Sequence, residues 1–374
     1  MIVYKTSFLE RFLIAAAITP VIFVPSVSLS EAVVEINIRE TTQLAQNRQQ
    51  EELRELLRRG RELADAKQYQ AATDVYQQAS RLDPKNPKIF SGIGYLEAQQ
   101  ENYDIAVWAY RRAVELAPDN AEFYYALGHT LAQLGNYSEA TTAYFRSTEL
   151  NGQKIEAYLG LGAVLLRQND RAGALTIYQK LLTIEPNHPE ANAIVGSLLL
   201  RQGNYPVAIA RLKKVVQIAP QTASAWIDLS TAYQQQGQIS QAFETIDSFL
   251  KRYPNHGAGY YQKGKLLQQQ GDIAAATSAY EKAVRLERKP ISALVALGEV
   301  QLKQKDYLQA VVTYRRLTEL VPENPSIYYN LGLALKGRDR STEARQAFQT
   351  AYELFRKVNN QNGKDRSQMQ LRSL

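Results

Sequence analysis

Residues 121–154 read AEFYYALGHTLAQLGNYSEATTAYFRSTELNGQK. Within this stretch Tyr124, Leu127, Gly128 and Leu131 stand at i, i+3, i+4 and i+7, the spacing of one face of a helix. Gly135 then falls where a helix end favours a left-handed residue, and Asn136 follows as a candidate N-cap for a second helix. With Glu139 three residues on, Asn136 reads as a variant of the capping box. Ala140, Tyr144 and Ser147 carry the helical period through the second half. The stretch predicts two helices joined by a tight turn.

The same pattern repeats in both directions. Ala140 is one of nine alanines spaced 34 residues apart: Ala72, Ala106, Ala140, Ala174, Ala208, Ala242, Ala276, Ala310 and Ala344. No insertion or deletion interrupts the series, so the chain is a tandem array. Counting each unit from Leu53, the eighth place holds Gly60, Gly94, Gly128, Gly162, Gly196, Ser230, Gly264, Gly298 and Gly332. A small residue there implies a close backbone approach. The twenty-fourth place is always large: Tyr76, Tyr110, Tyr144, Tyr178, Leu212, Ile246, Tyr280, Tyr314 and Phe348. Gly203, Gly237 and Gly271 repeat the role of Gly135, followed by Asn204 and Asp272 as further candidate N-caps. Pro84, Pro118, Pro186, Pro220, Pro254 and Pro322 share the thirty-second place, where a residue without an N–H stops the second helix. Gly152, Arg288 and Arg356 depart from it.

A helix pair of this size cannot bury its own apolar face, and stacked neighbours supply the missing contacts. The fold class is therefore all-α, an α-solenoid of antiparallel helix pairs. These residues resemble the tetratricopeptide repeat, whose pattern places bulky, Leu, Gly and Tyr residues in helix A and Ala, aromatic, Ala and Pro residues in helix B. The resemblance covers residues 53–358, about four fifths of the chain. It implies a right-handed superhelix with helix A lining the concave side.

Outside the array lie 1–30, 31–52 and 359–374. Lys5 and Arg11 precede an apolar run from Phe12 to Val24, broken only by Pro20, and small residues Ser26, Ser28, Ser30 and Ala32 follow. This is the pattern of a signal peptide cut after Ser30 or Ala32. The run spans about 20 Å as a helix against a hydrocarbon core of roughly 30 Å, so a retained anchor over 12–24 is the alternative reading. Export points to a periplasm, or to a thylakoid lumen in a cyanobacterial source. Residues 31–52 read as a polar linker becoming an N-terminal cap, and 359–374 as a polar tail or capping segment with a weak amphipathic pattern in Met369, Leu371 and Leu374.

Charged residues make up 22% of the chain, its formal charge is +7, and it has no cysteine. Disulfides and thiolate metal sites are thereby excluded. The basic pairs Arg111–Arg112, Lys213–Lys214 and Arg315–Arg316 sit at one place of helix B, reading as a solvated outer face rather than a nucleic-acid surface. His129, His188 and His256 are the only histidines, and the last two share an inter-repeat turn. No phosphate loop, nucleophile elbow or metal-spaced acidic cluster occurs, and neither flank has room for a catalytic domain. A non-enzymatic protein without metal or cofactor is expected.

In the tetratricopeptide family, helix A residues at places 2, 5, 9, 12 and 13 line the groove. Carried over to this chain, the lining includes Tyr95, Tyr125, His129, Arg167, Arg201, Tyr261, Lys265, Lys303, Tyr329 and Lys336. Tyrosine with Arg or Lys suits an extended peptide of acidic character. No consecutive pair of units carries the family's two-carboxylate clamp. Place six reads Arg58, Gly92, Ala126, Gly160, Ile194, Asp228, Gln262, Ala296 and Asn330, which is no asparagine ladder. The leading expectation is a scaffold for a protein partner in an envelope or membrane complex. Contact with glycan chains through groove tyrosines, in polysaccharide synthesis or export, is the alternative, and self-association through the apolar array ends is a third reading.

Overall fold

The computed structural model describes residues 29–374, with side chains described from residue 38 onward. The apolar run 12–24 and nearly all of the signal-like segment 1–30 lie outside the described residues. Among the described residues every regular element is an α-helix, and none is long and apolar enough to cross a membrane. The chain forms two compact bodies, one ending at Asn102 and the other beginning at Tyr103.

The first body holds α1 (Leu29–Asp65), α2 (Tyr69–Leu82) and α3 (Pro87–Gln99). The second runs through α4 (Tyr103–Leu116), α5 (Ala121–Gln133), α6 (Tyr137–Leu150), α7 (Ile155–Arg167), α8 (Arg171–Ile184), α9 (Pro189–Arg201) and α10 (Tyr205–Ile218). It continues with α11 (Ala223–Gln235), α12 (Ile239–Arg252), α13 (Gly257–Gln270), α14 (Ile273–Leu286), α15 (Ile291–Lys303), α16 (Tyr307–Leu320), α17 (Pro325–Gly337), α18 (Ser341–Lys357) and α19 (Gln361–Arg372). The odd-numbered helices up to α17 are the A helices of the repeats, and the even-numbered ones are the B helices.

The repeat signals act as expected. All nine alanines of the 34-residue series are fully buried. Opposite them, a Cβ at Gly128 would come within 2.9 Å of the Tyr144 ring, and one at Gly264 within 2.5 Å of Tyr280. The A and B helices of a unit therefore touch nearly backbone to ring, and burying each large residue contributes roughly 1.5–3 kcal/mol. Where Ser230 replaces glycine, Ile246 replaces the ring and the Ser230 hydroxyl donates to the Ala242 carbonyl at 3.0 Å.

The turns are more uniform than their sequences. Gly135, Gly203, Gly237 and Gly271 have φ between 78° and 85°. The same place in the other five units holds Lys67, Glu101, Asn169, Lys305 and Asp339, all with φ between 57° and 63°. Helix packing fixes the reversal, and side chains that do not favour it accept it. Asn136 accepts from the Glu139 amide at 3.4 Å while its own side-chain amide donates to the Glu139 carboxylate at 2.6 Å. Asp272 likewise caps α14 through the Ala275 amide at 3.0 Å. Asn204, expected as an N-cap, makes no side-chain cap bond.

Two flanking segments differ from the plain reading. Residues 31–52 lie within α1, which runs unbroken for 37 residues into the first repeat. Glutamine, glutamate, arginine and leucine sustain it, and Arg58 bonds both Glu55 and Glu62. Residues 361–372 form α19, whose N-cap Asn360 accepts from the Gly363 amide at 2.9 Å, and which packs on α18 with Leu371 and Leu374 against the last apolar cluster.

Candidate functional site

In the second body α5 touches α7, α9 touches α11 and α11 touches α13. Successive B helices are held apart: clefts of ≈ 290 Å³ and ≈ 220 Å³ open between α10 and α12 and between α16 and α18. In these units the A helices are the more closely packed.

Tyr125, His129, Arg167, Arg201, Tyr261, Lys265 and Lys303 all lie on A helices of this body, with Arg167, Arg201, Lys303 and His129 exposed and the other three partly so. Tyr95 belongs to α3 of the first body and is 49% exposed. Tyr329 and Lys336 differ from the rest in their contacts with the C-terminal segment. Tyr329 is only 7% exposed, with the Arg366 guanidinium of α19 lying 4.5 Å from its ring centre and Phe348 edge-on at 5.6 Å. Lys336 donates to Gln370 at 3.0 Å and to Ser373 at 2.8 Å. The capping segment has taken both positions.

The tyrosines are also less free than their places suggest. Lys154 sits 4.6 Å from the centre of the Tyr125 ring while bonding Glu122 at 2.8 Å, and Tyr144 packs at 5.9 Å. Tyr261 packs against Tyr280 at 5.9 Å and under Lys265 at 5.9 Å. Burial drives the phenol pKa of Tyr144, Tyr178, Tyr280 and Tyr314 far above its ordinary value, so these rings are core.

The densest polar arrangement is centred on α13. Lys265 donates to Gln262 Oε1 at 3.3 Å, Gln262 Nε2 donates to Gln234 Oε1 at 3.0 Å, and Gln234 Nε2 donates to Gln269 Oε1 at 2.6 Å. Gln262 is 2% exposed and Gln234 9%. Beside the chain, Tyr280 donates to Gln268 Oε1 at 2.7 Å. Burial lowers the Lys265 pKa, and among the described residues no carboxylate forms an ion pair with it. One repeat earlier, burial raises the Asp228 pKa, against the opposing pull of a Ser197 hydrogen bond and the Arg201 charge. Glu299 adds a carboxylate near Tyr261, Tyr280 and Tyr314.

The sequence reading named Lys265 and Tyr261 as groove residues and did not name Gln234 and Gln269, which sit in the runs Gln234–Gln236 and Gln268–Gln270. The outer-face reading of the basic pairs fits better: Arg111 bonds Glu139 and Arg315 bonds Glu343 at 2.7 Å, each tying a B helix to the next. Such exposed pairs contribute about 0–1 kcal/mol.

The architecture is a stack of helical repeats, the kind of fold that mediates protein–protein interaction. Sequence profiles described as TPR repeat or tetratricopeptide repeat match residues 60–101, 94–135, 125–191, 159–223, 199–265, 258–290, 302–337 and 325–357. The chain belongs to the tetratricopeptide repeat family. A TPR repeat-containing protein of Picosynechococcus sp. is 39% identical over 71 residues, 19% of this chain and 18% of that protein, so the match spans under a fifth of that relative's length. The crystal structure of a tetratricopeptide repeat protein from Parabacteroides merdae superposes with a TM-score of 0.53 at 18% identity, covering 67% of this chain and 98% of that one. Yeast Tom70 gives a TM-score of 0.49 at 12% identity over 86% of this chain and 96% of its own.

Proposed function

We propose that the protein is a non-enzymatic scaffold whose A-helix face binds an extended segment of a protein partner bearing carboxylates. One observation carries the reading: exposed Arg167 and Lys303 and half-buried Lys265 all lie on A helices and form no ion pair among the described residues. Unpaired cations on successive A helices suit an acidic peptide more than a neutral ligand. The engaged faces of Tyr125 and Tyr261 weaken the glycan alternative, since stacking on a sugar ring needs a free aromatic face.

The place of action rests on the signal-like pattern of residues 1–30 and is an extracytoplasmic or membrane-associated complex. Co-purification from a washed envelope fraction tests the scaffold: the native protein is expected to bring down a defined partner. The charge-reversed Arg167→Glu/Lys303→Glu variant is expected to lose it. Recovery of the native array alone after crosslinking, or retention of the partner by the variant, contradicts the reading.

A further inference from the structure

The direction of the hydrogen-bond chain on α13 is not arbitrary. An ammonium can only donate, so Lys265 obliges Gln262 to present its oxygen. Gln262 must then offer its Nε2 to Gln234, and Gln234 its Nε2 to Gln269. The buried middle of the chain locks this order, because reversing one amide would leave two donors or two acceptors facing each other. The outer end is the Nε2 of Gln269, which is exposed and keeps both N–H groups for something else. Lys265 keeps the rest of its N–H groups in the same way.

Both ends of the chain therefore offer free N–H donors, the ammonium of Lys265 and the Nε2 of Gln269. Lys265 and Gln269 stand four apart on α13 and share a face, with Cβ atoms roughly 5–6 Å apart. We propose that Lys265 and Gln269, held in donor orientation by Gln262 and Gln234, form a receptor for one carboxylate group of a protein partner. The inference rests on the binding face proposed above and names its anchoring point. Desolvation sharpens the site, because the half-buried ammonium has lost water and forms no ion pair among the described residues. The residues differ from those of the two-carboxylate clamp that the sequence lacks: one anion is taken, by an ammonium and a carboxamide of a single helix.

The test uses fluorescein-labelled hexaglutamate with an amidated C-terminus, followed by anisotropy with the full chain. Gln269→Glu turns the exposed donor into an acceptor at the surface, where folding tolerates it. Gln133→Glu makes the same charge change at the same repeat place of α5, outside the chain of amides. Expected is a loss of at least about tenfold in affinity for Gln269→Glu and for Lys265→Gln, from one charge-assisted hydrogen bond removed in each, with little change for Gln133→Glu. Equal losses in Gln269→Glu and Gln133→Glu would overturn the inference in favour of bulk charge. Displacement of the peptide by inorganic phosphate at concentrations where acetate has no effect would also overturn it. If hexaglutamate fails to bind while the envelope partner is still lost from Arg167→Glu/Lys303→Glu, the receptor is refuted and the binding face stands.

Discussion

Replacing Gly264 by alanine tests the contact on which every repeat is built. In an unconstrained helix the change stabilises by about 1 kcal/mol, because glycine carries the larger conformational entropy loss. Here the new Cβ would lie 2.5 Å from Cε1 and 2.6 Å from Cδ1 of Tyr280. That ring is fully buried and its hydroxyl is held by Gln268, so it cannot swing aside. Overpacking of this kind costs about 1–3 kcal/mol, and so close an overlap belongs at the upper end. The net expectation is a destabilisation of about 1–2 kcal/mol, opposite in sign to helix propensity. The array supplies its own control: the unit with Ser230 carries Ile246 in place of the ring. Gly264→Ser/Tyr280→Ile should thus lose less than the sum of its single changes. Because repeat arrays need not unfold in one step, the assay is native-state hydrogen exchange of α13 and α14 amides, where each 1.4 kcal/mol is about tenfold in rate. Unchanged or slower exchange in Gly264→Ala would refute the reasoning.

Other expectations follow from the same structure. Lys305 has φ of 62°, so Lys305→Gly relieves left-handed strain and should stabilise its repeat by about 0.5–1 kcal/mol after glycine's entropy is counted, read by the same exchange experiment. Burial raises the Asp228 pKa, so the native state holds more protons than the unfolded state between the ordinary and the raised value. Stability therefore falls as pH rises through that window, and Asp228→Asn should remove the decline in thermal melts across the same range. Deleting 359–374 uncovers Tyr329 and Phe355 and should convert a monomer to self-associating species in sedimentation velocity; an unchanged monomer would contradict the capping role of α19.

What could be read in advance was whatever the chain repeats. The alanine, glycine and large-residue places describe one A–B contact, and nine copies made it visible before any coordinate was known. Lys67, Glu101 and Lys305 show the opposite case: nothing in these residues announces a left-handed turn, and only their register with Gly135 places them there. Family place put Arg167, Lys265 and Lys303 on A helices, where the structure has them. Tyr329 and Lys336 were lost to α19, whose polar sequence gives little sign of the face it covers. The Gln234–Gln262–Gln269 chain was hidden because its members come from two helices 28 and 35 residues apart, and glutamine carries no signal of burial.

The central claim is that a protein segment lies along the A-helix face of the second body. A photo-crosslinking amino acid placed at Tyr261 on α13, and separately at Phe145, 51% exposed on α6, compares the two sides in the native setting. The account expects one discrete protein adduct at Tyr261, suppressed by Gln269→Glu, and none at Phe145. The same adduct at both positions, or an adduct at Phe145 alone, would contradict it.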